Sequence, residues 1–147
     1  MSKPASLAKA RGKSRTLAMQ AIYQWQMTGD DIAIIEKQFL DDNNAESLDV
    51  EYFSSLLHGI VSEADTIDKC VEKYMDRLIN SVDPVERSIL RLGCYEFMKC
   101  LDVPYRVVLN EAVNLTKKFC AEQSHTFVNA VLDKVAHELR SDEIKGD

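Results

Sequence analysis

The residues best suited to chemistry lie in a short basic segment near the amino terminus. Four basic residues alternate with other residues over seven positions: Lys9, Arg11, Lys13 and Arg15. Arginine forms bidentate contacts with phosphate, and lysine supplies a point charge. Positions 1–29 carry five basic side chains, Lys3 included, and no acidic one, whereas the rest of the chain has 13 basic and 24 acidic residues. This asymmetry favours contact with a polyanion, although a solvated leader segment would look the same.

Two aromatic residues could extend such a contact. Tyr23 follows the basic segment and lies outside the apolar stripe of its predicted helix, since it is rotated by about 100° from Ile22 and lies beside Arg15. An exposed aromatic near basic residues is typical of base stacking on single-stranded nucleic acid. Phe127 raises the same question near the start of the last helix. A half-buried Tyr23 and a core Phe127 are the ordinary alternatives.

Charged residues also interrupt a helix that is otherwise apolar around most of its circumference. Glu86 lies near its start, and Arg91 and Glu96 lie further along. An unpaired buried charge is costly, so Arg91 and Glu96 must either form ion pairs inside the protein or face a functional surface.

Motifs of common enzyme classes are absent from the sequence. There is no phosphate-binding glycine loop, no dinucleotide-binding glycine motif and no nucleophile elbow. Glu122-x-x-His125 occurs once, whereas a di-iron bundle needs two such pairs and further carboxylates. No two of the four cysteines form a C-x-x-C pair, which favours reduced thiols in or near the core. We therefore expect no catalysis, no metal and no cofactor.

Apolar residues recur at helical spacing along the whole chain, which predicts an all-α bundle. The expected helices cover about 6–27, 31–41, a segment from Asp49, 62–80, 84–100, and segments starting at Pro104 and Ser124. Polar residues from Ser141 onwards predict a frayed tail. The length of 147 residues, with 46% hydrophobic and 29% charged residues, suits one domain. We expect neither a membrane span nor a secretory signal.

Four segments resemble the NusB family of bacterial transcription antitermination factors. They are AMQAIYQWQ at 18–26, DPVERSILR at 83–91, DVPYRVVLNEA at 102–112 and SHTFVNAVLDK at 124–134. The resemblance implies a single NusB-like domain over 1–147, with two roughly perpendicular helical subdomains, 1–80 and 81–147. It implies a non-enzymatic, cytoplasmic protein.

The resemblance also implies the partners. A family member binds boxA, a short single-stranded RNA element of nascent ribosomal RNA, together with NusE, a small-subunit ribosomal protein. The two join an antitermination complex on RNA polymerase. A homodimer is possible. Two other readings remain: a helical domain of an RNA methyltransferase, against which the length argues, and an adaptor that binds only proteins.

The resemblance assigns residues position by position. The expected RNA contacts are Lys9, Arg11, Lys13, Arg15, Tyr23, Arg91, Gln123 and Phe127. The expected NusE contacts are Tyr23, Glu86 and Phe127. Two positions depart from the family pattern: Gly12 interrupts a basic run, and Gln123 stands where an acid is expected.

Overall fold

The structure, a computed structural model, describes residues 4–146 except for the side chains of residues 4 and 5. Lys3 lies outside the described residues. Eight α-helices make up this part of the chain: α1 (Pro4–Thr28), α2 (Ile32–Asp42), α3 (Val50–Ser62), α4 (Ala64–Glu72), α5 (Pro84–Lys99), α6 (Tyr105–Phe119), α7 (Ser124–Leu139) and α8 (Ser141–Lys145). Single 3-10 turns cover Ala45–Ser47 and Ile79–Ser81. The predicted all-α class is confirmed, and the division into two subdomains stays a prediction.

Aspartate side chains begin three of these helices. Asp31 accepts a hydrogen bond from the backbone N–H of Ala33, and Asp49 accepts one from Tyr52. Asp83 accepts bonds from two backbone N–H groups of α5, and Pro84 occupies the first helical position. These contacts satisfy donors that have no partner within the helix. The predicted starts of α2, α3 and α5 therefore follow from the local sequence.

Helix α5 lies at the centre of the bundle, as its apolar circumference predicts. Its side chains from Ser88 to Cys94 are all buried. Two glycines let neighbouring helices pack closely against it. A Cβ atom added to Gly59 of α3 would lie 2.0 Å from the Tyr95 hydroxyl, and one added to Gly93 would lie 2.8 Å from Leu132 of α7. At both contacts an added side chain would force Tyr95 or Leu132 to shift, whereas glycine leaves room for them.

Two predictions about helix ends were wrong. The fourth helix ends at Glu72 rather than near residue 80, since the Glu72 carboxylate accepts a hydrogen bond at 2.8 Å from the backbone N–H of Ile79 and holds a turn. The predicted start of α7 at Ser124 is confirmed, although no side chain caps this helix. The tail from Ser141 forms α8, which is attached to α6 because Glu143 accepts a hydrogen bond from the N–H of Tyr105.

Arg140, which the sequence analysis did not single out, closes the end of α5. Its side chain is buried and donates to the carbonyl oxygens of Glu96, Phe97, Cys100 and Val103 at 2.9–3.1 Å. The last carbonyl groups of a helix have no partner within it. Two of these carbonyl groups belong to the last turn of α5 and two to the loop before α6, so one guanidinium joins the end of α7 to both.

Candidate nucleic-acid interface

The four basic residues of α1 lie on two sides of the helix, because residues two apart are rotated by about 200°. Lys9 and Lys13 are exposed. Arg15 is 3% exposed, and Arg11 is partly buried. The prediction that these four residues form one basic surface is corrected, because two of the cations face outward and two face the protein.

Arg15 forms a buried ion pair. Its Nε lies 3.0 and 2.8 Å from the two carboxylate oxygens of Glu96, and its Nη1 lies 3.7 Å from Glu111. Burial raises the pKa of the Glu96 carboxyl, an effect that the neighbouring Arg15 charge opposes. The guanidinium of Arg15 is enclosed by protein carboxylates, so the RNA contact predicted for Arg15 stays a prediction that requires this ion pair to open.

Arg11 faces the same side, closer to the surface. It contacts Asp102 at 3.0 Å and Asp49 at 3.5 Å, and its guanidinium carbon lies 4.6 Å from the centre of the Tyr52 ring. The Arg11 hydrogen bond lowers the pKa of Asp102. The Tyr52 hydroxyl donates to Glu96, so Arg11 and Arg15 belong to one network that attaches α1 to α3 and α5.

The opposite side of α1 carries the outer stripe, which we define as Lys9, Lys13, Thr16, Gln20, Tyr23 and Met27. At about 100° per residue these positions fall within about 80° of one another and span about 27 Å. Tyr23 is 37% exposed and Met27 55% exposed. Arg15, the cation expected beside Tyr23, is buried. The cations that share its side of the helix are instead Lys9 and Lys13.

Arg91 is also enclosed. Two of its nitrogens donate to the two carboxylate oxygens of Asp68 at 2.9 and 2.8 Å, and a third donates to Gln26 at 3.0 Å. Arg91 as a whole residue is 7% exposed. Of the two alternatives for the charges of α5, internal pairing is confirmed for Arg91 and Glu96. In the structure Arg91 links α1, α4 and α5, and its predicted contact with RNA stays a prediction.

The starts of α5 and α7 meet at a second polar surface. The Ser124 hydroxyl donates to Glu86 at 3.1 Å, which explains why it does not cap its own helix. Gln123 is exposed, and Phe127 lies about one turn further along α7. Gln26, less than one turn beyond Tyr23, donates to the carbonyl oxygen of Pro84 at 2.9 Å. The carboxyl-terminal part of α1 therefore approaches the helix start that carries Glu86.

Phe127 has a cationic neighbour that the sequence analysis missed. The guanidinium carbon of Arg77 lies 4.8 Å from the centre of the Phe127 ring, and Phe127 is partly buried. Arg77 belongs to the turn between α4 and α5, a segment predicted as helix. Its contact depends on how that turn folds back, so residue spacing held no signal for it.

Other expectations fall outside this interface. The four cysteines are free, with Cys70 and Cys94 buried and Cys100 and Cys120 partly buried. The ring of His125 contacts the backbone oxygen of Glu122 at 2.9 Å. Among residues 4–146 no group of three or more His, Cys, Asp or Glu side chains is placed to hold a metal ion. None of the described helices is long and apolar enough to cross a membrane.

Comparison with known sequences gives one family. The NusB family matches residues 12–137. A transcription antitermination protein NusB from Saccharophagus degradans is 50% identical over 139 residues, which is 94% of this chain and 93% of that protein. One from Teredinibacter turnerae is 48% identical over 135 residues, 91% of this chain and 92% of that protein.

Solved structures share the fold. T. maritima NusB has a TM-score of 0.80 at 27% identity, with 94% of each chain covered. A NusB chain from a structure of antitermination factors NusB and NusE in complex with double-stranded RNA has a TM-score of 0.76 at 28% identity, with 84% of this chain and 93% of that chain covered.

Proposed function

This chain belongs to the NusB family, and from that premise we propose that it is a non-enzymatic RNA-binding factor of transcription antitermination. It binds a single-stranded boxA element of nascent ribosomal RNA together with NusE, and the pair acts on RNA polymerase in the cytoplasm. A relative of the same fold has been solved with NusE and RNA, which supports both kinds of partner.

The observation that carries the RNA part of the proposal is the outer stripe of α1. Lys9 and Lys13 are exposed on the same side as Tyr23, whose ring is accessible at the edge of the bundle. Lysines attract phosphates in a salt-dependent manner, and an aromatic ring stacks on any base. A flexible strand about 27 Å long, the length of the stripe, could contact all three residues.

Glu86, Gln123 and Phe127 form the second part of the proposed interface. Glu86 and Ser124 join α5 to α7, and Phe127 follows within about one turn. A carboxylate repels phosphate, so Glu86 suits a protein partner or a base edge. We assign Gln123 to RNA, and Tyr23, Glu86 and Phe127 also to NusE. Arg11, which is partly buried, has at most a minor share in RNA binding.

The direct test is a fluorescence anisotropy titration of a labelled boxA-like single strand with the full chain, with and without purified NusE. We expect salt-sensitive binding that NusE strengthens. A single strand of scrambled sequence and the double-stranded form serve as competitors. Equal binding of boxA and scrambled strands at physiological salt, with or without NusE, would contradict the proposal. Binding of NusE without any RNA binding would favour the adaptor that binds only proteins.

A further inference from the structure

A groove separates α1 from α6, and the proposed function assigns no RNA contact to α6. Arg11 of α1 contacts Asp102, just before α6, at 3.0 Å, and Arg15 lies 3.7 Å from Glu111. The two helices therefore run side by side in the same direction. The open part of the groove is lined by residues of α1 such as Leu7 and Arg11 and by Val107 and Glu111 of α6. Helix α5 lies beneath both helices, and its Ile89, Leu92 and Glu96 are buried there.

Tyr23 lies at the edge of the outer stripe that borders the groove. A Cβ atom added to Gly12 would lie 3.9 Å from the Glu111 carboxylate, so position 12 faces α6. Tyr23 comes eleven residues later, which is about three turns and places it within about 20° of the same direction. The groove wall formed by α1 thus ends in an exposed aromatic ring.

The α6 wall ends in a cation. Lys118 follows Glu111 by seven residues, about two turns, and again within about 20° of the same direction. Lys118 is exposed, and its ammonium nitrogen lies 5.4 Å from the centre of the Phe119 ring. Lys117, also exposed, is rotated by about 100° away from the groove towards solvent.

Two carboxylates on the α6 and α5 sides of this region, Glu111 and Glu86, have partners within the protein. Glu111, about two turns from Lys118, has Arg15 as a cationic neighbour. Glu86 accepts the Ser124 hydroxyl at the start of α7. A lysine in the last turn also stabilises the helix dipole, and both Lys117 and Lys118 can do this equally. Only Lys118 combines that position with the groove.

We propose that Lys118 binds a backbone phosphate of the single-stranded RNA whose base stacks on Tyr23, so that the strand lies across the Tyr23 end of the groove between α1 and α6. This inference rests on the proposed RNA-binding function and adds a contact from the second half of the chain. It makes α6, in addition to α1, a wall of the RNA site.

Lys118→Ala and Lys117→Ala form a matched pair, since both remove one lysine from the last turn of the same helix. The anisotropy titration is repeated for each from 0.05 to 1 M salt, beside the unchanged chain and Tyr23→Ala. We expect Lys118→Ala to lower the log–log salt slope by about 0.7, which is about fivefold weaker binding at 0.1 M relative to 1 M salt. Lys117→Ala should keep the slope and affinity.

The outcomes distinguish failure of the Lys118 contact from failure of the proposed RNA-binding function. Equal titrations for the two lysine variants, while Tyr23→Ala binds weakly, overturn the Lys118 contact and leave the proposed function standing. Absence of RNA binding by the unchanged chain contradicts the proposed function itself. An equal loss of affinity in both variants indicates general charge attraction and also overturns the contact. Thermal unfolding of each variant checks that the helix is retained.

Discussion

The two sides of α1 use the same kinds of residue for different purposes. On the inner side, Arg11 and Arg15 form ion pairs with carboxylates of α5 and α6 and with the aspartates just before α3 and α6. On the outer side, Lys9 and Lys13 are exposed together with Tyr23. Basic residues close to the amino terminus therefore do not all have the same role. The side of α1 on which a basic side chain lies determines whether it stabilises the fold or is available to bind a ligand.

Arginine and lysine suit these two tasks for physical reasons. Arg15 meets both oxygens of Glu96 with a planar group that keeps its charge when buried. Lysine is strongly hydrated and mobile, so it contributes mainly when a polyanion displaces counterions. The inner residues should therefore govern the free energy of unfolding, and the outer residues should govern the affinity for RNA.

The largest effect is expected from Arg15→Ala. Removal of one partner leaves Glu96 buried without its cation and should cost about 3–5 kcal/mol of unfolding free energy. Denaturant unfolding followed by circular dichroism measures it. The double variant Arg15→Met with Glu96→Leu should recover part of the loss, because no charge is then left unpaired. A stability within about 0.5 kcal/mol of the unchanged chain would show that the ion pair is dispensable.

The next effect is expected from Tyr23→Ala, on affinity rather than stability. Loss of a stacked base costs about 1–3 kcal/mol, or about 5- to 150-fold in dissociation constant. Isothermal titration with a boxA-like strand measures it, and Tyr23→Phe, which keeps the ring, should bind almost normally. If the alanine variant binds like the phenylalanine variant, the ring is not a stacking platform.

A smaller effect is expected when a negative charge is added at the second polar surface, where α5 and α7 begin. Gln123→Asp places a carboxylate at an exposed position near the start of α7. Repulsion between unit charges about 4 Å apart in water is about 1 kcal/mol, so RNA affinity should fall by up to about fivefold. Gln123→Asn is the uncharged control. Unchanged affinity of the aspartate variant would place position 123 away from the RNA.

The smallest effects are expected from Arg11→Ala. Its side chain is 25% exposed and its partner Asp102 is 66% exposed, and ion pairs of this kind contribute about 0–1 kcal/mol. Thermal unfolding should therefore change by a few degrees at most, and the salt dependence of RNA binding should stay the same. A drop in the salt slope as large as that caused by loss of a lysine would mean that Arg11 turns outward to bind phosphate.

Much of the fold could be predicted because its determinants are local. Asp31, Asp49 and Asp83 each begin a helix through contacts within three residues, and the apolar circumference of α5 marked it as central. The end of α4 could not be predicted this way. It depends on Glu72 reaching the backbone of Ile79 across a turn, which apolar spacing does not indicate.

The placement and packing partners of the candidate site residues were predicted less well, for two different reasons. The alternation of Lys9, Arg11, Lys13 and Arg15 already held the answer, because residues two apart on a helix point to opposite sides. The prediction of one basic surface overlooked this alternation. The partners of Arg91 and Arg140 could not be predicted, since they come from elements distant in sequence. Sequence spacing describes one helix, not what packs against it.

The salt dependence of RNA affinity for Lys9→Ala/Lys13→Ala, measured beside Arg11→Ala, tests most directly which side of α1 meets the ligand. Each lost phosphate contact on a single strand lowers the log–log slope by about 0.7, so the double lysine variant should lose about 1.4 with unchanged thermal unfolding. Arg11→Ala should keep the slope of the unchanged chain. An unchanged slope for the double lysine variant would contradict RNA binding by the outer stripe.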